Sequence, residues 1–291
     1  MRRIVVTGAN KGIGLAIATA ILDEQDDTFV LLGSRSAQRG RAAIEALTAK
    51  HPGWAERLAL LELDVASDES VARAATSFAE RYGRERALYA VVNNAGLGAD
   101  DLRSILEVNV LGVRRVSEAL LPLLDPDGGR IVNITSAAGP NFVNACSPER
   151  QRFFLDPNVT WPALRALIDE CLAIEGGQQA FAARGLGDGN AYGLSKALAN
   201  SYTMLLAREH PTLRVNACTP GFIETDMTRK YATAQGKAPA VLGMKPPSAG
   251  ARAAMFLLFG EPEGNGRYYG SDGQRSPLDR YRAPGDPPFV G

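Results

Sequence analysis

The sequence predicts an α/β fold built on one doubly wound, parallel β-sheet. Short runs of apolar, often β-branched residues recur along the chain, and amphipathic stretches of helical length separate them. A chain of 291 residues is also long enough to bury one large core. No linker or internal repeat divides it, so we expect a single domain over residues 1–275. Residues 276–291, rich in proline and glycine, are expected to form an irregular or frayed tail.

The predicted strands are nearly continuous apolar runs, which is the pattern of strands that helices cover on both faces. They span residues 4–6, 29–32, 58–61, 90–92, 130–134, 213–217 and 267–269. Apolar residues at helical spacing predict the elements between them. These helices span residues 13–24, 39–50, 68–82, 102–124, 189–206 and 248–259.

The first predicted strand runs directly into a glycine-rich turn that precedes a helix. The turn reads Thr7-Gly8-Ala9-Asn10-Lys11-Gly12-Ile13-Gly14. Glycines here let backbone amides approach a pyrophosphate, which the N-terminus of the helix attracts. A glycine-rich turn can be purely structural, but this position between strand and helix favours a dinucleotide site on a Rossmann-type sheet. The candidate contacts are Gly8, Asn10, Lys11, Gly12, Ile13 and Gly14.

Tyr192 and Lys196 are four residues apart in a helical pattern, so they lie one turn apart on the same helix face. An ammonium about 4 Å from a phenolate stabilises it by roughly 4 kcal/mol at an effective dielectric near 20. That energy lowers a phenol pKa by about three units from its usual value near 10. The pair therefore predicts a tyrosine that exchanges a proton near neutral pH. The alternative is an aromatic ring packed under a solvated lysine stem.

Further motifs follow three of the other strands. They are Asp64-Val65, Asn93-Asn94-Ala95-Gly96 and Pro220-Gly221-Phe222-Ile223-Glu224-Thr225. Each alone could be an ordinary strand end or turn, but in this order, with the glycine-rich turn, Tyr192 and Lys196, they resemble the short-chain dehydrogenase/reductase family over nearly the whole chain. The resemblance implies that Asp64 and Val65 contact the adenine. It also implies that Asn94, Ala95 and Gly96 support the sheet beside the cofactor, and that Pro220, Gly221, Ile223 and Thr225 hold the nicotinamide carboxamide.

The same resemblance implies a catalytic tetrad of Asn109, Ser136, Tyr192 and Lys196. The implied reaction is hydride transfer from a nicotinamide to a carbonyl carbon, with Tyr192 donating a proton to the developing alkoxide. Ser136 would hydrogen-bond the same oxygen. Lys196 would lower the proton affinity of Tyr192 and bind the ribose hydroxyls, and Asn109 would hold a water that links Lys196 to solvent.

The charges near the second strand favour NADPH over NADH. An NAD site usually places an acid after that strand, whereas a 2′-phosphate needs cations. Here the strand leads into Gly33-Ser34-Arg35-Ser36, and the glycine-rich turn carries Lys11. We therefore expect Arg35 and Lys11 to flank the phosphate, with the Ser34 hydroxyl as an extra donor. The alternative is that both cations are ordinary surface residues.

A long insertion, over about residues 140–188, separates Ser136 from Tyr192. Ser147-Pro148-Glu149 is a typical helix start, and an apolar stripe from Leu164 to Leu172 predicts a second helix that ends before Gly176-Gly177. With such an insertion the chain is similar to the monomeric NADPH-dependent carbonyl reductases, whose extra helices cover the surface that other members use to form oligomers. We therefore expect a monomer; the alternative is that the insertion is a lid on an oligomeric protein.

Composition narrows the remaining possibilities. A formal net charge of +0 and 45% hydrophobic residues fit neither a nucleic-acid-binding protein nor a disordered one. No apolar run reaches membrane-spanning length, and three scattered cysteines suit reduced thiols, so a cytoplasmic location is expected. Two histidines, neither near a cysteine, offer no metal-ligand spacing. Cys146 is expected to be a buried thiol; the alternative is that it borders the substrate cleft.

The expected substrate is a small carbonyl compound. An apolar set, expected to line its pocket, suits aldehydes, ketones and quinones without selecting one. The set is Phe222, Met227, Tyr231, Val241, Leu242 and Met244. Two other functions stay open: a non-catalytic NADP(H) sensor, and a dehydrogenase dedicated to one biosynthetic alcohol or ketone. The presence of Ser136, Tyr192 and Lys196 together favours catalysis over sensing.

Overall fold

The predicted doubly wound α/β fold is confirmed by the computed structural model, which describes residues 1–291. Seven parallel strands form one sheet in the order β3-β2-β1-β4-β5-β6-β7. They are β1 (Arg2–Val6), β2 (Thr28–Ser34), β3 (Leu58–Glu62), β4 (Ala90–Asn93), β5 (Arg130–Ile134), β6 (Arg214–Cys218) and β7 (Tyr268–Tyr269). All seven predicted strands are present, with ends that differ by at most two residues.

Twelve α-helices connect and cover the strands. They are α1 (Gly12–Glu24), α2 (Ala37–Lys50), α3 (Asp68–Tyr82), α4 (Leu102–Leu106), α5 (Gly112–Leu120), α6 (Ala138–Ala145), α7 (Pro148–Leu155), α8 (Trp161–Leu172), α9 (Gly177–Ala183), α10 (Ala191–Glu209), α11 (Asp226–Ala234) and α12 (Pro247–Phe259). The helix predicted over residues 102–124 is interrupted: a π-helical turn at Glu107–Leu111 separates α4 from α5, and a 3-10 turn ends it at Leu121–Leu123.

Two apolar layers cover the two faces of the sheet, and alternate residues of each strand belong to opposite layers because they point to opposite faces. Val5 and Val91 belong to the larger layer, which includes α3, α5 and α10. Val6 and Val92 belong to the smaller layer, which includes α1 and α12. The core of the molecule is therefore on both sides of a buried sheet, which explains why the strands are apolar on both faces.

The insertion is a set of helices that packs onto the larger layer. Ser147 caps α7 as predicted, its hydroxyl accepting a hydrogen bond from the Arg150 amide. The predicted stripe on α8 is buried, and it includes Leu164, Leu167, Ile168 and Cys171. This helix ends at Leu172, before the predicted glycine stop, and Gly176 instead precedes α9 in a left-handed conformation.

The C-terminal tail contains no helix or strand over residues 276–291. It is nevertheless tied to the rest of the molecule. The Arg282 side chain is buried, and it donates hydrogen bonds to Asp272 and Ser276. A partly buried ion pair between Arg282 and Asp272 therefore holds the tail, rather than leaving it frayed.

Candidate active site

A cleft of about 740 Å³ opens at the carboxyl ends of the strands. It spans the junction between β1 and β4, from which the chain winds outward in both directions. Open α/β sheets bind their ligands at such a switch point, and the volume is typical of a small-molecule site. Loops that follow the first six strands form its walls.

Most of the predicted site residues line this cleft. They are Gly8, Asn10, Lys11, Gly12, Ile13, Arg35, Asp64, Val65, Asn94, Ala95, Gly96, Ser136, Tyr192, Lys196, Pro220, Gly221, Ile223 and Thr225. Gly14, Ser34 and Asn109 do not line it, and each has a structural role behind the walls.

The glycine-rich turn is locked against the loop that follows β4. Gly8 has a φ of +63°, which favours glycine, and a side chain there would meet the Cα atom of Ala95 at 3.0 Å. A Cβ atom on Gly14 would lie 2.6 Å from the Gly8 carbonyl oxygen and would also strike the Asn94 amide. The Asn94 amide in turn donates to the Thr7 carbonyl at 2.9 Å. Gly14 therefore allows close packing between helix and turn, rather than contacting a ligand.

Cations gather where β2 ends. Arg35 and Arg39 are both exposed and both line the cleft, and no carboxylate follows this strand before α2. The sequence analysis did not predict Arg39 as a site residue. Its position four residues after Arg35 was the signal that could have indicated a second cation at this end of the cleft. The Ser34 hydroxyl donates to the Ser36 carbonyl at 2.9 Å and is buried, so it is directed into its own turn and not towards a phosphate.

Lys11 has a partner that the sequence analysis did not predict. Its Nζ atom lies 2.7 Å from Oδ2 of Asp226, the first residue of α11. About 60% of each side chain is exposed (61% and 59%). A pair so exposed contributes at most about 1 kcal/mol, and therefore an incoming anion can exchange with the carboxylate.

The Asn109 side chain is committed to protein groups. Its amide nitrogen donates to the Leu97 carbonyl at 2.9 Å and to the Ser195 hydroxyl at 3.0 Å, and its oxygen accepts from the Leu97 amide at 2.8 Å. The π-helical turn at Glu107–Leu111 carries this residue, and such turns reorient side chains within a helix. The side chain thus joins the loop after β4 to α10, and the role of Asn109 in holding a water stays a prediction.

Close packing between α6 and α10 brings Ser136 towards Tyr192. A Cβ atom on Gly139 would lie 3.0 Å from the Lys196 carbonyl carbon, and one on Gly193 would lie 3.0 Å from the Phe142 Cβ atom. Helix α6 begins two residues after Ser136, whose hydroxyl accepts from the Ala138 amide at 3.2 Å. The two glycines therefore set the distance between the serine and the tyrosine.

Lys196 is buried behind Tyr192. Its Nζ atom donates to the Ile134 carbonyl at 3.0 Å and lies 5.5 Å from the centre of the Tyr192 ring. Burial lowers the pKa of Lys196 to about 8. Burial also raises the pKa of the Tyr192 phenol, and the Ser136 hydroxyl opposes that rise. The pKa of Tyr192 is therefore raised, not lowered as its spacing from Lys196 predicts, because burial is the largest influence on it.

Helix α11 forms a roof over the cleft. Its capping residue Thr225 lies above Gly12, whose Cβ position would be 3.5 Å from the threonine methyl. Two residues further on, the Met227 thioether covers Gly98. Of the six apolar residues predicted to line the substrate pocket, Met227 alone lies in the cleft; Phe222, Tyr231 and Val241 are exposed and do not line it.

The cleft has the features that a bound dinucleotide needs. A glycine turn that excludes side chains precedes the N-terminus of α1, whose first amides have no partner within the helix. Arg35 and Arg39 stand at one end, and Ser136, Tyr192 and Lys196 stand at the other. A long ligand with phosphates in its middle therefore fits between a cationic end and a proton-donating end.

Comparison with known proteins identifies the family. The family model described as short chain dehydrogenase matches residues 2–148. The chain belongs to the short-chain dehydrogenase family. This confirms the resemblance seen in the motifs, and the glycine-rich turn and the Asn94-Ala95-Gly96 loop lie within the matched residues.

Relatives of this short-chain dehydrogenase cover most of its length. It is 32% identical to (+)-neomenthol dehydrogenase of Arabidopsis thaliana over 79% of this chain and 85% of that one. It is 30% identical to carbonyl reductase (NADPH) 1 of Mus musculus over 90% of this chain and 92% of that one. The structure of salutaridine reductase from Papaver somniferum matches with a TM-score of 0.75 and 24% identity, covering 92% and 99% of the two chains, and it supports the fold.

Other chemistry-bearing groups lie outside the cleft. Cys146, Cys171 and Cys218 are free and buried, and burial raises the thiol pKa of Cys146 to about 11 and that of the other two to about 12. Such thiols are inert at neutral pH. No group of three His, Cys, Asp or Glu side chains is arranged to hold a metal ion. No helix has the length and apolar character needed to cross a membrane.

Proposed function

We propose that the protein is an NADPH-dependent carbonyl reductase that converts aldehydes, ketones or quinones to alcohols. The observation that carries this proposal is the convergence of Ser136, Tyr192 and Lys196 on the cleft that also contains the glycine-rich turn. The mouse relative, named carbonyl reductase (NADPH) 1, supports both the reaction and the cofactor. NADPH, when bound, would supply the hydride.

Different parts of the cleft would hold different parts of the cofactor. Arg35 and Arg39 carry the positive charge that a 2′-phosphate requires. The glycine-rich turn and the N-terminus of α1 offer backbone amides to the pyrophosphate. The Pro220-Gly221 turn and Thr225 would hold the nicotinamide end, and Lys196, with one of its three protons bonded to Ile134, would use another for the ribose hydroxyls.

Tyr192 would act as the proton donor to the substrate oxygen. Since burial raises the pKa of this phenol, it is protonated at neutral pH, which is the form that a general acid needs. Ser136 would hydrogen-bond the same oxygen and fix its position. Lys196, still mostly protonated at pH 7 because its pKa is about 8, would stabilise the phenolate that remains after the proton leaves.

Turnover with a panel of carbonyl compounds tests this function. The purified protein is mixed with NADPH, and the loss of reduced-nicotinamide absorbance is followed for aromatic aldehydes, cyclic ketones and quinones. Reduction of several of these compounds is the expected result. Tight NADPH binding without turnover of any of them would refute the proposal and favour a sensor.

A dehydrogenase dedicated to one metabolite is the second candidate. It is favoured by the relative named (+)-neomenthol dehydrogenase, whose identity to this chain is as high as that of the carbonyl reductase. The same panel separates the two candidates. One cyclic ketone reduced far faster than every other compound would favour the dedicated enzyme, whereas comparable rates across several classes would favour the broader reductase.

We also propose that the protein is a monomer, because the insertion covers the outer face of α5 and α10. The Trp161 ring of α8 packs edge-on against Tyr202 of α10 at 5.9 Å and lies 4.0 Å from the guanidinium carbon of Arg114 on α5. The Ser201 hydroxyl donates to the Phe154 carbonyl of α7 at 3.1 Å. Light scattering should give a mass near 31.0 kDa, and a stable dimer or tetramer would contradict the proposal.

We propose a cytoplasmic location from the state of the cysteines. All three cysteines are free, which suits a reducing compartment. Fractionation of cells that express the full chain should recover it with the cytosolic markers, and recovery with membranes or in the medium would contradict this location.

A further inference from the structure

The C-terminal tail is organised around the guanidinium of Arg282, whose N–H groups all have acceptors. Nη2 donates to both oxygens of Asp272 at 2.6 Å, and Nε donates to the Ser276 hydroxyl at 3.1 Å. Nη1 donates to the carbonyls of Ala283 at 3.0 Å and Asp286 at 2.9 Å. The Arg282 side chain is only 6% exposed, and all of its N–H groups are hydrogen-bonded. It therefore fixes the path of the tail.

Asp272 is equally well bonded on its side of the pair. Its oxygens also accept from the amides of Gln274 at 3.1 Å and Gly285 at 3.4 Å. Burial, the largest single influence, would raise the pKa of this carboxyl, but the hydrogen bonds from Arg282, Gln274 and Gly285 and the charge of the guanidinium together outweigh burial and lower it. Gly270 leaves the space that the pair occupies, since a Cβ atom there would lie 2.7 Å from Asp272 Oδ1 and 3.2 Å from Arg282 Nη2.

This ion pair is one residue away from a wall of the cleft. Gly221 has a φ of +90°, and a Cβ atom on it would meet the Cβ atom of Ser271 at 3.1 Å, so the turn rests directly on the residue before Asp272. The Thr219 amide donates to the Tyr269 carbonyl at 3.0 Å, which holds the two loops side by side where β6 and β7 end. The position of the Pro220-Gly221 turn therefore depends on the loop that Asp272 and Arg282 fix.

We propose that Arg282 is a positioning residue for the nicotinamide end of the cleft. By holding Asp272, it keeps Ser271 beneath the Pro220-Gly221 turn and so fixes the shape of the site that receives the nicotinamide. This inference rests on the proposed NADPH-dependent function. It assigns the tail a part in cofactor binding, although no tail residue lines the cleft.

The test compares Arg282→Met with the matched control Arg280→Met, which removes an exposed cation two residues earlier. Binding of NADPH and of 2′,5′-ADP is measured by calorimetry. The second ligand has the adenosine and 2′-phosphate but no nicotinamide. Arg282→Met should weaken NADPH binding by about tenfold, or about 1.4 kcal/mol, and should leave 2′,5′-ADP binding within about twofold of the wild type. Guanidinium ion in millimolar amounts should restore part of the NADPH affinity, whereas Arg280→Met should bind both ligands as the wild type does.

Two results would overturn the inference. In the first, Arg282→Met binds NADPH as tightly as the Arg280→Met control does. In the second, it loses affinity for both ligands equally, which is the mark of a general structural defect. If Arg282→Met does not fold, Arg282→Lys replaces it: the ammonium keeps the pair with Asp272 but loses the other acceptors, and a smaller loss confined to NADPH is expected. A wild-type protein that binds neither ligand would overturn the proposed function and this inference with it.

Discussion

The Nζ atom of Lys196 donates a 3.0 Å hydrogen bond to the carbonyl oxygen of Ile134, at the end of β5 and two residues before Ser136. The residue is 6% exposed, and burial lowers the pKa of its amine to about 8. A buried ammonium that faces one carbonyl and an aromatic ring is destabilising in itself. The charge is therefore kept at a cost in stability, which is typical of a functional group.

Replacing Lys196 by Met should stabilise the protein at neutral pH. The pKa shift of Lys196 from 10.5 to about 8 corresponds to a loss of about 3 kcal/mol in the free energy of unfolding of the wild type. The variant avoids this loss, but it also gives up a hydrogen bond worth about 1 kcal/mol. Below pH 8 the full cost is present in the wild type. Between pH 8 and 10.5 the folded wild type has lost the proton that the unfolded chain retains, so wild-type stability rises relative to the variant. Urea unfolding at pH 7 and pH 9.5 measures both differences, and a gap that does not shrink with pH would contradict the buried charge.

Replacing Asn109 by Ala should destabilise the fold by about 2–4 kcal/mol, because it leaves the Leu97 amide and carbonyl without their partner behind the cleft wall. Thermal and urea unfolding measure the loss. The control is Asn158→Ala, at an exposed position in the insertion, which should change stability by less than about 0.5 kcal/mol. Equal stability of the two variants would show that the hydrogen bonds of Asn109 are not structural.

Replacing Arg39 by Ala should weaken NADPH binding by about tenfold and leave NADH binding unchanged, because NADH has no 2′-phosphate for the guanidinium to meet. Calorimetric titration with each cofactor measures the effect. Arg41→Ala is the matched control, since Arg41 is exposed on the same helix but outside the cleft. Arg35→Asp should go further and shift preference towards NADH. Equal losses for both cofactors would contradict a phosphate site here.

Replacing Gly14 by Ala should destabilise the protein by about 1–3 kcal/mol and abolish cofactor binding, since the methyl group would strike the Gly8 carbonyl and the Asn94 amide. Gly53→Ala is the control. A Cβ atom on Gly53 meets nothing within 4 Å, so this change should be neutral or slightly stabilising. Normal NADPH affinity in Gly14→Ala would show that the turn tolerates a side chain and is not closely packed.

The sequence predicted the sheet and most of the cofactor-side residues that line the cleft, because both depend on local signals, but it placed five of the six apolar pocket residues wrongly. Apolar runs of strand length marked all seven strands, and the glycine-rich turn marked the start of α1. Tyr192 and Lys196 could be placed on one helix face from their spacing alone. Their electrostatics could not, because the pKa of each depends on how many atoms of other elements surround it.

What sequence reasoning missed depends on contacts between distant segments. The π-helical turn at Glu107–Leu111 carries Asn109, whose side chain donates hydrogen bonds to Leu97 and Ser195. Helical periodicity could not reveal these distant partners. Asp226 meets Lys11 across 215 positions of sequence, and Arg282 meets Asp272 only when the tail folds back. The proline- and glycine-rich composition of the tail predicted irregular backbone, but it carried no information about the ion pair between Arg282 and Asp272.

The most direct test of the account is the Tyr192→Phe variant, measured for NADPH binding and for reduction of the best substrate from the carbonyl panel. Loss of the hydroxyl removes the proton donor without emptying the space that the ring fills. The account predicts an NADPH dissociation constant within about twofold of the wild type and turnover reduced by at least about a hundredfold. Turnover within a few-fold of the wild type, at intact NADPH affinity, would contradict it.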